Sequence, residues 1–142
     1  MSARSFLCNS ACTCLSSPSS WSTLPFQTLL WRHAGNDPNR LHFDPAVAQR
    51  AGFDAPILMG LNTFGFAGRA LVQSMCGAAP ERLRSIEGRF AAPGYNGDVL
   101  TAEIWSGEGV GADARGNRLA LYRVVNQRGD VLLDRGRAAF SA

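Results

Sequence analysis

The chain has no lysine: all 14 of its basic residues are arginine, set against 11 acids for a net charge of +3. That excess is small, and the arginines are scattered among acids and apolar residues instead of forming a stripe, so a nucleic-acid partner is not expected. Long apolar runs are also missing. The most apolar stretch, Pro56 to Gly77, is interrupted by Asn62, Arg69 and Gln73, which argues against a membrane span of about 18 residues or more. Histidine is scarce, with two in the chain, and three of the four cysteines (Cys8, Cys12, Cys14) lie in the first fourteen residues, leaving Cys76 alone. A zinc site needs a second ligand pair at metal spacing and a disulfide framework needs cysteines spread through the fold. Neither is expected, and the chain reads as cytoplasmic and reduced, with organellar import left open.

What remains is ordinary globular composition. Hydrophobic residues make up 46% and charged residues 18% of 142 positions, enough for one compact core. Residues 1–24 stand apart: Ser, Thr and Cys dominate, no acid occurs before Asp37, and neither helical nor strand periodicity is present. Asn9, Ser10 and Thr13 break the only candidate secretory h-region. This segment is expected to be a disordered or mis-assigned lead, with a strand pair near Trp21 at most, and residues 25–142 to be the domain.

From Pro25 the pattern turns helical. Phe26, Leu29, Leu30 and His33 fall at i, i+3, i+4 and i+7, so a short helix with a packed apolar face, His33 included, is expected before Gly35. Asp44-Pro45 opens a second short helix ending at Gly52, with Asp44 as N-cap and Pro at its first turn. Pro56 to Cys76 reads as a central buried helix whose small residues (Gly60, Gly65, Ala67, Gly68, Ala70) allow close approach to a sheet. Beyond Pro80 the period drops to two, predicting strands over 83–90, 99–105, 119–125 and 131–140 in a four-strand meander. The expected class is α+β: an antiparallel sheet wrapped around one long helix, the hot-dog arrangement.

The Gly107-x-Gly-x-Gly111 run imitates a nucleotide loop, but it lies between two strand patterns with no helix after it and reads as a hairpin tip. No Walker sequence, nucleophile elbow or Ser/His/Asp set occurs. The chemistry therefore concentrates in Gly35 to His42, a polar turn carrying a carboxylate, an amide and an imidazole. A carboxylate and a histidine sharing one water can deliver a proton and a hydroxyl to the same face of a substrate. On composition alone Asp37 and Asn39 serve equally well as turn residues.

Asp37-x-Asn39-x-Leu41-His42-x-Asp44-Pro45, with Ala48 following, resembles the hydratase 2 motif of the MaoC-like, R-specific enoyl-CoA hydratases. The likeness extends through Ala51 to Gly65, Arg89-Phe-Ala-Ala-Pro93 and Gly97 to Trp105. It covers about Leu24 to Ala142 and is strongest to the catalytic second hot-dog half of peroxisomal multifunctional enzymes. The resemblance implies reversible addition of water to a trans-2-enoyl-CoA, giving a (3R)-hydroxyacyl-CoA, with Asp37 and His42 as catalytic pair and Asn39 holding the water or the histidine. It further implies that the Gly60 backbone N–H serves as oxyanion donor, and that Arg89 and Met59 stand near the substrate. No cofactor is implied beyond the coenzyme A of the substrate itself, and no metal. Three positions depart from the pattern: Met59 replaces the usual His, Arg40 the usual Pro, and Asn62 a Cys or other small residue. With one hot dog in the chain, a homodimer or a second hot-dog half is the expected partner. A catalytically silent acyl-CoA-binding partner and a hot-dog thioesterase are the alternative functions.

Overall fold

The structure, a computed structural model, describes residues 13–14, 19–107 and 109–141. In chain order it contains β1 (Thr13–Cys14), β2 (Ser19–Ser22), α1 (Gln27–Gly35), α2 (Pro45–Arg50), α3 (Gly60–Met75), β3 (Leu83–Phe90), β4 (Val99–Ser106), β5 (Arg118–Asn126) and β6 (Val131–Phe140). The strands form one antiparallel sheet, and α3 lies across it, as the hot-dog arrangement requires.

Helix α3 is buried because its inward residues are small. Thr63, Ala67, Ala70 and Leu71 fall at i, i+4, i+7 and i+8 and are nearly or wholly inaccessible, the spacing of a single helical face. They meet Leu100, Ala102 and Ile104 of β4, Tyr122 and Val124 of β5, and Leu132, Leu133 and Ala138 of β6. The alternation in β4, with every second residue buried from Leu100 to Ile104, marks a strand with one face on the core.

The four expected strands are present, but they do not form a simple meander. β4, β5 and β6 follow one another across the sheet, whereas β3 pairs with β6 at the far edge, from Leu83 opposite Phe140 to Phe90 opposite Leu133. The reason is that both sides of β4 are taken: β5 runs along one, while β1 and β2 lie in tandem along the other. β3 is left with β6, and residues 91–98 must cross between the edges.

The second difference lies in the lead expected over residues 1–24. Residues 1–12 and 15–18 lie outside the described residues. Ser19–Ser22, however, pairs with Ala102 to Val99, and Trp21 stacks on Phe66 of α3 with ring centroids 6.4 Å apart. The sheet therefore starts before Pro25. The short serine-rich strand lacked a readable apolar alternation because only Trp21 turns toward the core.

Helix α1 forms where expected, but its apolar stripe faces outward. Phe26, Leu29, Leu30 and His33 are exposed, and Thr28 is the one buried residue. Polar contacts decide this orientation: Thr28 N–H donates to Asn96 Oδ1 (3.1 Å), and Asn96 Nδ2 donates to Thr28 Oγ1 (3.0 Å). α2 follows expectation in detail, with Asp44 Oδ1 accepting from Ala46 N–H (2.9 Å) and Val47 N–H (3.3 Å) and Pro45 at the first helical position.

A buried carboxylate ties the sheet's ends together. Asp98, 2% exposed, accepts from both terminal nitrogens of Arg128 (2.7 and 2.9 Å), from Gln127 Nε2 (3.0 Å) and from Tyr95 N–H (2.9 Å). Its carbonyl receives Thr23 N–H at the end of β2. Among the described residues no helix is long and apolar enough to cross a membrane.

Candidate active site

The polar turn singled out in the sequence joins α1 to α2. Asn36 ends α1 in the left-handed region (φ 49°), a conformation Asn tolerates better than most residues. The chain then folds on its own side chains. Asp37 accepts the Asn39 N–H at Oδ1 (2.8 Å), and Asn39 caps a 3-10 turn over Arg40–His42 by accepting the Leu41 N–H at Oδ1 (3.1 Å). Arg40 bonds Asp44 through Nε (3.1 Å) and Nη2, and this pairing, with the α2 cap bonds, holds the Asp44 carboxyl below the usual range. Asp44 is thus committed to structure.

Those local bonds aim the histidine. His42 Nδ1 lies 3.0 Å from the carbonyl oxygen of Ile57, and Nε2 lies 3.3 Å from Asn39 Nδ2. A carbonyl only accepts, so Nδ1 carries the proton and Nε2 keeps its lone pair. The Asn39 amide is oriented the same way: its oxygen is engaged by Leu41 N–H, which turns Nδ2 to the ring. Asp37, Asn39 and His42 therefore form one chain of hydrogen bonds with Asn39 in the middle.

His42 opens onto a cleft of about 300 Å³ that it shares with Gly60 at the head of α3. Phe53, Ile57, Thr63, Phe90, the 91–94 segment and Leu132 complete the lining, which is mainly apolar. α3 begins without a side-chain cap, so its first backbone N–H groups, Gly60's included, have no acceptor within the helix and stand at its positive end. The His42 ring and a helix N-terminus thus line one mainly apolar space. This arrangement can hold a polarised carbonyl at one end and move a proton at the other.

The remaining sequence-derived site residues are placed as follows. Asp37 is half-buried and accepts from the backbone of Asn39, and neither of the two lines the cleft. Met59 is buried (8% exposed) and precedes α3 as its N-cap residue, outside the lining. Arg89 is exposed on β3, opposite Asp134 of β6, and also lies outside the lining. Strand alternation puts its neighbour Phe90 on the cleft side.

Four participants were not singled out from the sequence. Thr63 stands one turn after Gly60 on the same face, so helical spacing could have found it. Phe90 follows Arg89 in a strand whose inward face was not assigned. Phe53 and the Ile57 carbonyl carry no sequence signal, because loop tertiary placement alone brings them to His42.

The MaoC like domain matches residues 15–126. The chain is 40% identical over 107 residues to the peroxisomal multifunctional enzyme type 2 of Mus musculus, covering 75% of this chain and 13% of that protein. It is 45% identical over 83 residues to the peroxisomal enoyl-CoA hydratase 2 of Arabidopsis thaliana, covering 58% of this chain and 26% of that one. The solved MaoC-like dehydratase of Phytophthora capsici superposes with a TM-score of 0.78 at 35% identity, over 89% of this chain and 40% of that chain. The chain spans about a quarter or less of the length of these two curated relatives.

Proposed function

Given that this chain belongs to the MaoC-like domain family, we propose that it catalyses reversible hydration of a trans-2-enoyl-CoA to a (3R)-hydroxyacyl-CoA. The observation that carries the reading is the shared cleft of His42 and Gly60, with Asn39 linking the imidazole to Asp37. Water adds its oxygen to C3 while a proton is delivered to C2 on the same face. One of Asp37 and His42 takes the water's proton and the other supplies the proton to C2. Negative charge grows on the thioester oxygen, and the Gly60 N–H meets it at the positive end of α3. Where one such donor has been removed elsewhere the loss is roughly 3 to 4 kcal/mol.

Each neighbour has a task in this scheme. The Ile57 carbonyl holds the Nδ1–H tautomer, so Nε2 can accept a proton. Asn39 Nδ2 occupies Nε2 until water takes its place, which keeps the ring from rotating away. The apolar lining raises the strength of each electrostatic contact by excluding solvent. The reaction needs water and the substrate's own coenzyme A, and no further cofactor or metal. Arg89 and Met59 belong to the proposal only at the periphery: Arg89 as a cation outside the cleft that suits the phosphates of the carrier, Met59 as packing behind Gly60.

A second hot dog completes the proposed assembly, either another copy of this chain or a separate half. β3 is an edge strand with most of its residues exposed, and an open edge invites pairing. Cytoplasm is the proposed compartment, since the buried Cys76 is a free thiol.

The test follows the ultraviolet absorbance of crotonyl-CoA with the wild-type protein, Asp37→Asn and His42→Ala. Loss of the conjugated absorbance with wild type and a drop of about 10² to 10⁴-fold in each variant are expected. Equal rates in the three proteins would remove the pair from the mechanism. Release of free coenzyme A without hydration would instead indicate a thioesterase, and binding without turnover a silent partner.

A further inference from the structure

Gly60 has little room for a side chain, and the group that takes the room is Phe90. A Cβ built on Gly60 would stand 3.0 Å from Cε1 and 3.1 Å from Cζ of the Phe90 ring, a contact that fits only if the ring gives by a few tenths of an ångström. The ring is not a core residue. It is 52% exposed, it sits at the end of an edge strand paired with β6, and the Phe64 ring is tilted against it by 52° at 6.5 Å. A register shift between Glu87 and Arg89 immediately precedes it, and such irregularities re-aim side chains. The result is an aromatic face standing on the first residue of α3, inside the cleft that His42 opens onto.

We propose that Phe90 is a specificity-determining residue: its ring is the wall beside the Gly60 amide and limits the bulk an acyl group can carry next to its thioester carbon. The inference rests on the reading that the Gly60 N–H receives the thioester oxygen. If the oxygen lies at that amide, the thioester carbon and C2 lie within one or two bonds of it, on the side where the ring stands. A hydrogen at C2 fits against the ring face, whereas a methyl group there competes with it for the same space.

The experiment compares crotonyl-CoA with its 2-methyl analogue, tigloyl-CoA, as substrates, and butyryl-CoA with 2-methylbutyryl-CoA as ligands by isothermal titration calorimetry. Wild type, Phe90→Leu and Phe90→Ala are measured, with circular dichroism and Tm recorded for each; the leucine variant keeps apolar bulk where alanine fails to fold. The expected result is a rise of tenfold or more in the branched-to-unbranched ratio of kcat/KM from wild type to Phe90→Ala, with a matching change in the Kd ratio and Phe90→Leu between them. Both ratios staying within twofold of wild type, with rates and affinities falling together, overturns the proposal and leaves Phe90 a packing residue. If wild type binds the thioesters without hydrating crotonyl-CoA, the hydratase reading falls while the Kd ratios still decide the role of Phe90. If wild type binds no thioester, both fall.

Discussion

His42 Nδ1 donates to the carbonyl oxygen of Ile57 at 3.0 Å, across fifteen residues of chain. The bond joins the 3-10 turn before α2 to the loop that leads into α3, so the position of the imidazole and the position of the helix head are set by one contact. The same loop is held from its other side, where Leu58 N–H donates to Gly94 (2.7 Å) and Ile57 bridges to Tyr95. The loop is therefore held on one side by a side chain and on the other by backbone hydrogen bonds.

Asn39→Asp tests the orientation of the ring. The carboxylate keeps an oxygen to cap the 3-10 turn but turns an oxygen, in place of Nδ2, toward His42 Nε2. The ring then loses the donor that holds Nε2, and kcat/KM for crotonyl-CoA should fall by about ten- to a hundredfold. An unchanged kcat/KM would separate Asn39 from the histidine.

Asp98 contributes to acid stability. Burial pushes its carboxyl up, but the hydrogen bonds from Arg128, Tyr95 N–H and Gln127 outweigh this and hold it below its ordinary value. A depressed folded pKa gives stability that is fully present above the unfolded value of about 3.9 and disappears as pH falls through the folded one. Replacing Arg128 by Gln removes the largest of the lowering contacts. Its Tm at pH 7 should fall, and the Tm difference from wild type should shrink as pH drops below about 3.9.

Tyr122 carries a buried hydroxyl with no hydrogen-bond partner among the described residues, and burial followed by the Glu87 charge pushes its pKa up to about 12. Removing the hydroxyl removes an unmet desolvation cost. Tyr122→Phe should be neutral or stabilising by up to about 1 kcal/mol in urea denaturation; a clear loss would mean that the hydroxyl has a partner.

Gly136 lies under the same ring. A Cβ there would sit 2.5 Å from the Tyr122 backbone oxygen and 2.6 Å from two ring carbons. Backbone cannot give way as a flexible side chain can, so Gly136→Ala should cost about 3 kcal/mol, read as a lower denaturation midpoint with the m-value unchanged.

Much of this was legible in the sequence because it is decided locally. The Asp44-Pro45 start of α2, the period-two strands beyond Pro80 and the turn chemistry of Asp37 to His42 depend on residues within a few positions of one another; of the motif residues Asp37, Asn39, His42 and Gly60, the fold brings His42 and Gly60 into one cleft. The outward face of α1 was not legible. Its i, i+3, i+4 stripe is that of a packed helix, and only the two hydrogen bonds between Thr28 and Asn96, 68 positions apart, turn it to solvent.

The order of the strands was likewise a tertiary decision. Periodicity located β3 and β4 but could not tell that β2 occupies the edge β3 would have used, because pairing is a competition among distant segments. The amino-acid sequence on its own determined which residues bear chemistry and which segments bend, coil or extend, since those follow from side-chain type and short-range geometry. Only the folded chain decided that Ile57 anchors the imidazole and that Phe90 stands on Gly60, since these contacts exist only once sheet, loop and helix close on one another.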